Sequence, residues 1–297
     1  MFKDIVLAAT QSEETEPGAN VAFAFARKHE ARLVIIHVCG LPSPGWGDIR
    51  NMLPSGEVAR IKKQIQEYYS ERVQDIPNCR FEVIPGVPHS EILRLARKVN
   101  SDLIVMGAHT KDFAEKRRSK TWGLEGSTLE RVSQKARCPV MIVTRPVSEA
   151  GLDFKNIVVA TDFSHQSECA LYYASQMARQ YAANLHIFHV MEKGMSEQIA
   201  SQEEIDQAKK RLADEYRERL KGLQSCTYEA WVGTPSMEIL KFARQKSADL
   251  IIMAHHSKEV DPEEAALGST VEQVALNASC PTMSVNRHFD LRCALYE

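Results

Sequence analysis

Two triplets in this chain have the residue types of a phosphate-binding turn. Gly126-Ser127-Thr128 and Gly268-Ser269-Thr270 each stand before an apolar-periodic segment, so each is expected to open a helix. The first N–H groups of a helix have no intrahelical partner and lie at the positive end of its dipole, which suits an anion. The same residues also make an ordinary helix cap with close packing, and the sequence leaves both readings open. Ahead of each triplet lies a short apolar run, Leu103 to Met106 and Leu250 to Met253, with the pattern of a strand covered on both faces. The loops leaving these strands carry Gly107, His109 and Thr110 in one case and Ala254, His256 and Ser257 in the other. A loop that leads from the carboxyl end of a parallel strand into a helix is where open α/β sheets hold phosphates.

Other chemistry-bearing residues read more plainly. His255 and His256 are metal-ligand types, but neighbours in an extended segment point apart, and no carboxylate or thiol is spaced to complete a set. No metal site is expected. His109 and His256 hold one equivalent position and are expected to shape or line the loop. His186 and His189 are expected to pack. Cys138 and Cys280 each precede a proline, which reads as a helix stop beside a buried strand rather than a redox centre. The basic run Lys116 to Lys120 reads as a solvated loop, with Trp122 as its anchor. GxSxG, HExxH and GxxxxGK[ST] are all missing, so no catalytic residue is assigned and binding is expected rather than catalysis.

The elements that position these residues occur twice. Leu103 to Met106 answers Leu250 to Met253, Gly126-Ser127-Thr128 answers Gly268-Ser269-Thr270, and Cys138-Pro139 answers Cys280-Pro281. In the first copy strands are expected at 4–9, 32–38, 80–84, 102–106 and 140–143. Helices are expected at 17–30, at 57–73 with Ile61, Ile65 and Tyr68 inward, at 91–99, and after Gly126. In the second copy strands are expected at 156–162, 185–190, 227–232, 249–253 and 282–285. Helices are expected at 167–183, as a long charged segment at 196–223, after Gly233-Thr234-Pro235, and from Gly268 until Cys280-Pro281 stops it. Gly86, Pro88 and Glu91 correspond to Gly233, Pro235 and Glu238. Strictly alternating strands and helices predict parallel doubly wound sheets. Domains are placed at 1–146 and 154–297 with a linker at 147–153.

Composition bounds the function. The 297 residues suit two ordinary domains, and 44% hydrophobic with 26% charged residues describes a globular chain. A net charge of −2 gives no bulk basic surface for nucleic acid. No apolar run approaches the roughly 20 residues of a membrane span, and the start runs straight into a strand, so a cytoplasmic protein without a signal peptide is expected. Seven cysteines without a close CxxC pair read as unpaired, mostly buried thiols in a reducing compartment.

Taken together, Ala160-Thr161-Asp162-Phe163-Ser164 after a first strand, His-Val ending a second, Gly-x-Pro-x-x-Glu-Ile-Leu, Asp-Leu-Ile-x-Met, Gly-Ser and Cys-Pro resemble the universal stress protein family across both halves. The resemblance implies two tandem open parallel five-stranded α/β sheets flanked by helices, Rossmann-like and similar to the adenine nucleotide alpha hydrolases. It also implies a pseudo-dimer, with Val140–Val143 paired to Thr282–Val285. In nucleotide-binding members an Asp after strand one, backbone at the end of strand two, and a Gly-x-x-Gly loop followed by Gly-Ser or Gly-Thr hold ATP. Carried over, the second half offers Asp162, Val190, Met253, Ala254, His256, Ser257, Gly268, Ser269 and Thr270. The first half offers Thr10, Val38, Met106, Gly107, His109, Thr110, Gly126 and Ser127.

Neither copy is intact. Ala254 and Ser257 replace both loop glycines of the second half; Thr10 replaces the Asp and Thr110 the second loop glycine of the first. Loop glycines admit positive φ and close backbone approach, and both are compromised by a side chain. The connector 111–125 has Lys111, Lys116, Arg117, Arg118 and Lys120 against three acids, whereas 258–267 sets Lys258 against Glu259, Asp261, Glu263 and Glu264. A triphosphate near the second loop would therefore meet repulsion unless magnesium intervened. The expected function is a stress-response sensor or binding module taking ATP or AMP, with Mg, weakly in the second half. The alternatives are a scaffold for a protein partner without nucleotide, and a slow ATPase. Expected partners are a nucleotide, an unidentified protein and a second copy of the chain, without nucleic acid or membrane.

Overall fold

The computed structural model describes residues 2–10, 12–40, 56–107, 128–192, 201–255 and 269–286. The chain divides into two compact units, Met1–Pro146 and Val147–Glu297. The first runs β1 (Asp4–Ala8), α1 (Glu16–His29), β2 (Arg32–Gly40), α2 (Glu57–Val73), β3 (Cys79–Gly86), α3 (Pro88–Lys98), β4 (Leu103–Gly107), α4 (Thr128–Lys135) and β5 (Val140–Val143). The second runs β6 (Asn156–Thr161), α5 (His165–Tyr181), β7 (Asn184–Glu192), α6 (Gln202–Tyr216), β8 (Ser225–Gly233), α7 (Pro235–Gln245), β9 (Leu250–Ala254), α8 (Ser269–Asn277) and β10 (Thr282–Val285).

Within each unit all strand pairs are parallel. The order is β3-β2-β1-β4-β5 in the first unit and β8-β7-β6-β9-β10 in the second. This is the doubly wound α/β fold that the alternation of elements predicts. The continuous apolar runs form central strands buried on both faces, as β4 and β5 are throughout. In such an order the chain leaves β1 toward β2 on one side and reaches β4 on the other. The crevice at the carboxyl ends of β1 and β4, or of β6 and β9, is thus a topological switch point.

Repeated residues explain why both copies fold alike. Asp102 accepts hydrogen bonds through Oδ2 from the backbone N–H of Lys3 (2.8 Å) and Asp4 (3.0 Å). Asp249 accepts likewise from Asn156 (2.9 Å). These carboxylates tie the amino end of the fourth strand to that of the first, at the edge opposite the switch point. Gly86 and Gly233 end the third strands beneath a glutamate of the next helix. A Cβ on Gly86 would lie 2.8 Å from Glu91 Cγ, and one on Gly233 would lie 2.7 Å from Glu238 Cγ. That contact accounts for the Gly-x-Pro-x-x-Glu spacing.

Several expectations need correction. Tyr68 is 46% exposed, and Tyr69, four residues after buried Ile65, is the residue that faces inward. The long charged helix is α6 alone. It starts from Ser201, whose side chain and that of Glu204 form a reciprocal capping box, and residues beyond Tyr216 turn toward Gly222 at φ +83°. Residues 193–200 lie outside the described ones. α8 ends at Asn277, before Cys280-Pro281. The thiols are not mostly buried among the described residues. Cys138 and Cys169 are, whereas Cys39, Cys79, Cys226 and Cys280 are partly exposed. Cys39 stands near the free end of β2, and Cys79 and Cys226 sit in the outermost strands β3 and β8.

Candidate functional site

At the second unit's switch point, β6 delivers Thr161 and then Asp162. Thr161 Oγ1 lies 2.9 Å from Ser167 Oγ and 3.1 Å from Tyr216 Oη, and accepts from the Phe163 N–H at 3.1 Å. This buried knot turns the chain sharply, and Phe163 adopts a left-handed backbone with φ +64°. Asp162 is left exposed on the rim. Its Oδ1 accepts from the Ser164 N–H (3.1 Å) and hydroxyl (2.6 Å), while Ser164 Oγ accepts from Ser167 N–H as the N-cap of α5. The carboxylate is therefore both fixed in direction and solvent-facing, and part of its work is capping.

Strand two supplies the other wall. The β6–β7 register stops at Thr161↔His189, while β7 continues beside β8 to Glu192. From Val190 onward, β7 has strand partners only on its β8 side among the described residues. His189 Nδ1 lies 2.8 Å from the Thr161 carbonyl. A carbonyl only accepts, so Nδ1 carries the proton and the imidazole ties the ends of the two strands together. Burial depresses the His189 pKa most, and Arg211 also lowers it, against opposing contributions from the Thr161 carbonyl and Asp162. The Tyr216 phenol is pushed up to about 12, chiefly by burial. Phe163 packs against the His189 ring at 4.7 Å and stacks toward Tyr216 at 6.2 Å. The Arg211 guanidinium lies 3.8 Å above the Phe163 ring.

The first unit repeats this frame with different contents. His37 Nδ1 bonds the Ala9 carbonyl at 3.0 Å, and Tyr69 Oη donates to the Thr10 carbonyl at 3.2 Å. Thr10 occupies the Asp162 position, and its hydroxyl is spent locally, 2.8 Å from Ser12 Oγ and 3.1 Å from Thr15 Oγ1. A 3₁₀ turn, Glu13–Thr15, precedes α1 where α5 starts directly after its cap. That turn rests on Gly107. A Cβ there would lie 2.6 Å from Thr15 Cα and 2.9 Å from the Glu14 carbonyl oxygen. Gly18 of α1 is nearly as close, since its Cβ would lie 2.9 Å from Gly107 N. The second unit has Ala170 and Ala254 at these positions, which rule out so close an approach. The ladders agree: β1–β4 pairing reaches Ala8↔Met106, whereas β6–β9 pairing stops at Val159↔Ile252, one pair earlier.

The fold thus sets Asp162, Val190, Met253 and Ala254 at the ends of adjacent strands β7, β6 and β9, with Met253 buried and Ala254 half-buried. Ser269 and Thr270 begin α8, which joins β9 to β10 and so starts at the same carboxyl edge. Thr10, Val38, Met106 and Gly107 stand correspondingly in the first unit. His256, Ser257, Gly268, His109, Thr110, Gly126 and Ser127 lie outside the described residues, as do both connectors and Trp122. His255 is 1% exposed, and its N–H donates to the Val285 carbonyl at 2.8 Å. His186 is buried, with Nδ1 2.8 Å from Thr227 Oγ1. Sequence reasoning missed Phe163, Arg211 and Tyr216. Comparing the copies would have flagged Tyr216, which answers Tyr69; nothing in the sequence announces the left-handed Phe163.

A tandem pair of doubly wound α/β units, each with a crevice at its switch point, is the class of protein this geometry defines. The universal stress protein family matches residues 1–144 and again residues 153–286, and the chain belongs to that family. Universal stress protein MJ0531 of Methanocaldococcus jannaschii is 32% identical over 159 residues, covering 50% of this chain and 86% of that protein. Universal stress protein Sll1654 of Synechocystis is 28% identical over 144 residues, covering 48% and 86%. Over nearly full length the fold is similar to a universal stress protein from Archaeoglobus fulgidus, with TM-score 0.67 and 21% identity over 97% of each chain. No helix among the described residues is long and apolar enough to cross a membrane.

Proposed function

We propose that the chain is a stress-response binding module that takes an adenine nucleotide at the switch point of its second unit, gripping the nucleoside end more than the phosphates. The observation that carries this reading is the contrast between the two switch points. The second presents an exposed, oriented Asp162 beside the edge of β7 at Val190, which has no strand partner on that side among the described residues. In the first, Thr10 stands in place of the carboxylate with its hydroxyl spent on Ser12 and Thr15, and the Glu13–Thr15 turn packs against Gly107. An oriented carboxylate accepts well from a ribose hydroxyl, and strand-end backbone can read a base edge.

The phosphate end is the weaker half. Ala254 stands where the family loop carries glycine, and the sequence 258–267 is acidic, a charge that disfavours a polyphosphate. On this reading magnesium arrives bound to the phosphates. The test begins with protein purified without added nucleotide, denatured, and its supernatant resolved by ion exchange. Calorimetry with ATP and AMP, with and without magnesium, follows on the wild type and Asp162→Ala. Bound or titrating nucleotide that is lost in Asp162→Ala supports the reading. A protein that stays empty at millimolar ATP and magnesium abandons it for the scaffold reading, which the side chain at Ala254 favours.

A further inference from the structure

We infer that Arg211 and Phe163 form the base-recognition element of the second unit, with the guanidinium as a flat platform on which a planar, electron-rich ring stacks. The inference rests on the nucleotide reading above and extends it to the residues that select the ligand. The guanidinium carbon lies 3.8 Å from the ring centroid, a distance that suits a guanidinium plane stacked on the Phe163 face. Its side chain is 62% exposed, which leaves the outer face to solvent, and Glu215 Oε2 holds its Nε edge at 3.5 Å. Phe163 is itself held from the sides by His189 and Tyr216. A bulky residue at φ +64° is costly, and such strain persists where the surroundings enforce it. Here the strain aims the ring at Arg211 beside the exposed Asp162.

The comparison between copies supports a ligand role over a generic fold role. Aligning Ile65 with Leu212 and Tyr69 with Tyr216 puts Gln64 opposite Arg211, and Gln11 stands opposite Phe163. The frame residues, His37 with His189 and Tyr69 with Tyr216, are kept in both units. The platform pair occurs only where the carboxylate also occurs. Guanidinium planes stack bases without regard to their hydrogen-bonding edges, so the platform selects an aromatic base over a sugar phosphate and leaves the choice of base to the β7 edge.

The experiment is calorimetry of full-length wild type, Arg211→Ala and Arg211→Lys with adenosine and, separately, ribose 5-phosphate. Arg211→Ala is expected to weaken adenosine about tenfold or more, the range of one lost base stack. Arg211→Lys keeps the charge without the plane and is expected to stay weak for adenosine while matching wild type for ribose 5-phosphate. Adenosine binding unchanged in Arg211→Ala, or restored in Arg211→Lys, overturns the platform and leaves the nucleotide reading standing. A wild type that binds neither adenosine nor any adenine nucleotide overturns both. Unchanged circular dichroism in Arg211→Ala separates a lost stack from a lost fold.

Discussion

A single hydrogen atom in place of a side chain decides what the first unit can do at its switch point. Gly107 lets the Thr15 backbone settle where a methyl group would overlap it, and both partners are backbone, so neither can swing aside. Gly107→Ala is therefore expected to destabilise the protein by about 1–3 kcal/mol, the usual cost of overpacking, seen as a lower urea midpoint. The reverse change in the other copy, Ala254→Gly, is not expected to relieve any clash. Histidines give a second residue-scale effect. His29 packs on Phe2 and Phe25, and its pKa is lowered to about 4, by burial first and then by the N-terminal charge and Lys28. Unfolding frees it to its ordinary value near 6.5, so below that pH the unfolded chain takes up a proton that the folded one refuses. Stability from this site is whole above pH 6.5 and is lost as pH falls toward about 4. Denaturant midpoints at pH 7 and pH 5 should differ less in His29→Gln than in wild type; equal differences would remove His29 from the account.

Elements carry the fold, and most of them could be read without a structure. The apolar runs Leu103 to Met106 and Leu250 to Met253 have no polar phase and are short, the pattern of a strand buried on both faces, and the duplicated motifs set the order of elements. What escaped depends on partners distant in sequence. Gly107 reads as a ligand-loop glycine until Thr15 is found against it, and the left-handed backbone of Phe163 has no signal in the sequence. Tyr68 and Tyr69 are both aromatic, and helical phase alone did not decide which one reaches the Thr10 carbonyl. Ser201-Gln202-Glu203-Glu204 has capping-box spacing, but the run of charge around it obscures the start of α6 in the sequence. This box fixes the entry to the helix that carries Arg211 and Tyr216. Ser201→Ala is expected to cost about 1 kcal/mol by chemical denaturation. A cost near zero would mean that packing of Leu212 and Tyr216 sets this helix without its cap.

The whole molecule is a duplication whose copies have drifted apart in content while keeping a common frame. The imidazole tether, the buried tyrosine and the Asp at the amino end of the fourth strand recur in both units. The carboxylate, the aromatic and the arginine occur in one, and the close packing of the Glu13–Thr15 turn on Gly107 in the other. Such a chain should bind one nucleotide rather than two, and calorimetry of full-length protein should return a stoichiometry near one per chain. Asp162→Ala should abolish that binding entirely, leaving no residual site to report from the first unit, whereas Thr10→Asp should not create a second site, because the Glu13–Thr15 turn would still lie on Gly107. Two equivalent sites, or binding that survives Asp162→Ala at full stoichiometry, would show that the turn yields to ligand and that the first unit's contents do not exclude it. Ala254→Gly with Ser257→Gly addresses the other half of the asymmetry. Removing both side chains lets the loop approach phosphates, so ATP affinity should rise while adenosine affinity stays level, and the gain should grow with magnesium, which offsets the acidic connector. If both ligands gain equally, the glycines act by loosening the crevice as a whole, and the preference for the nucleoside end has another source.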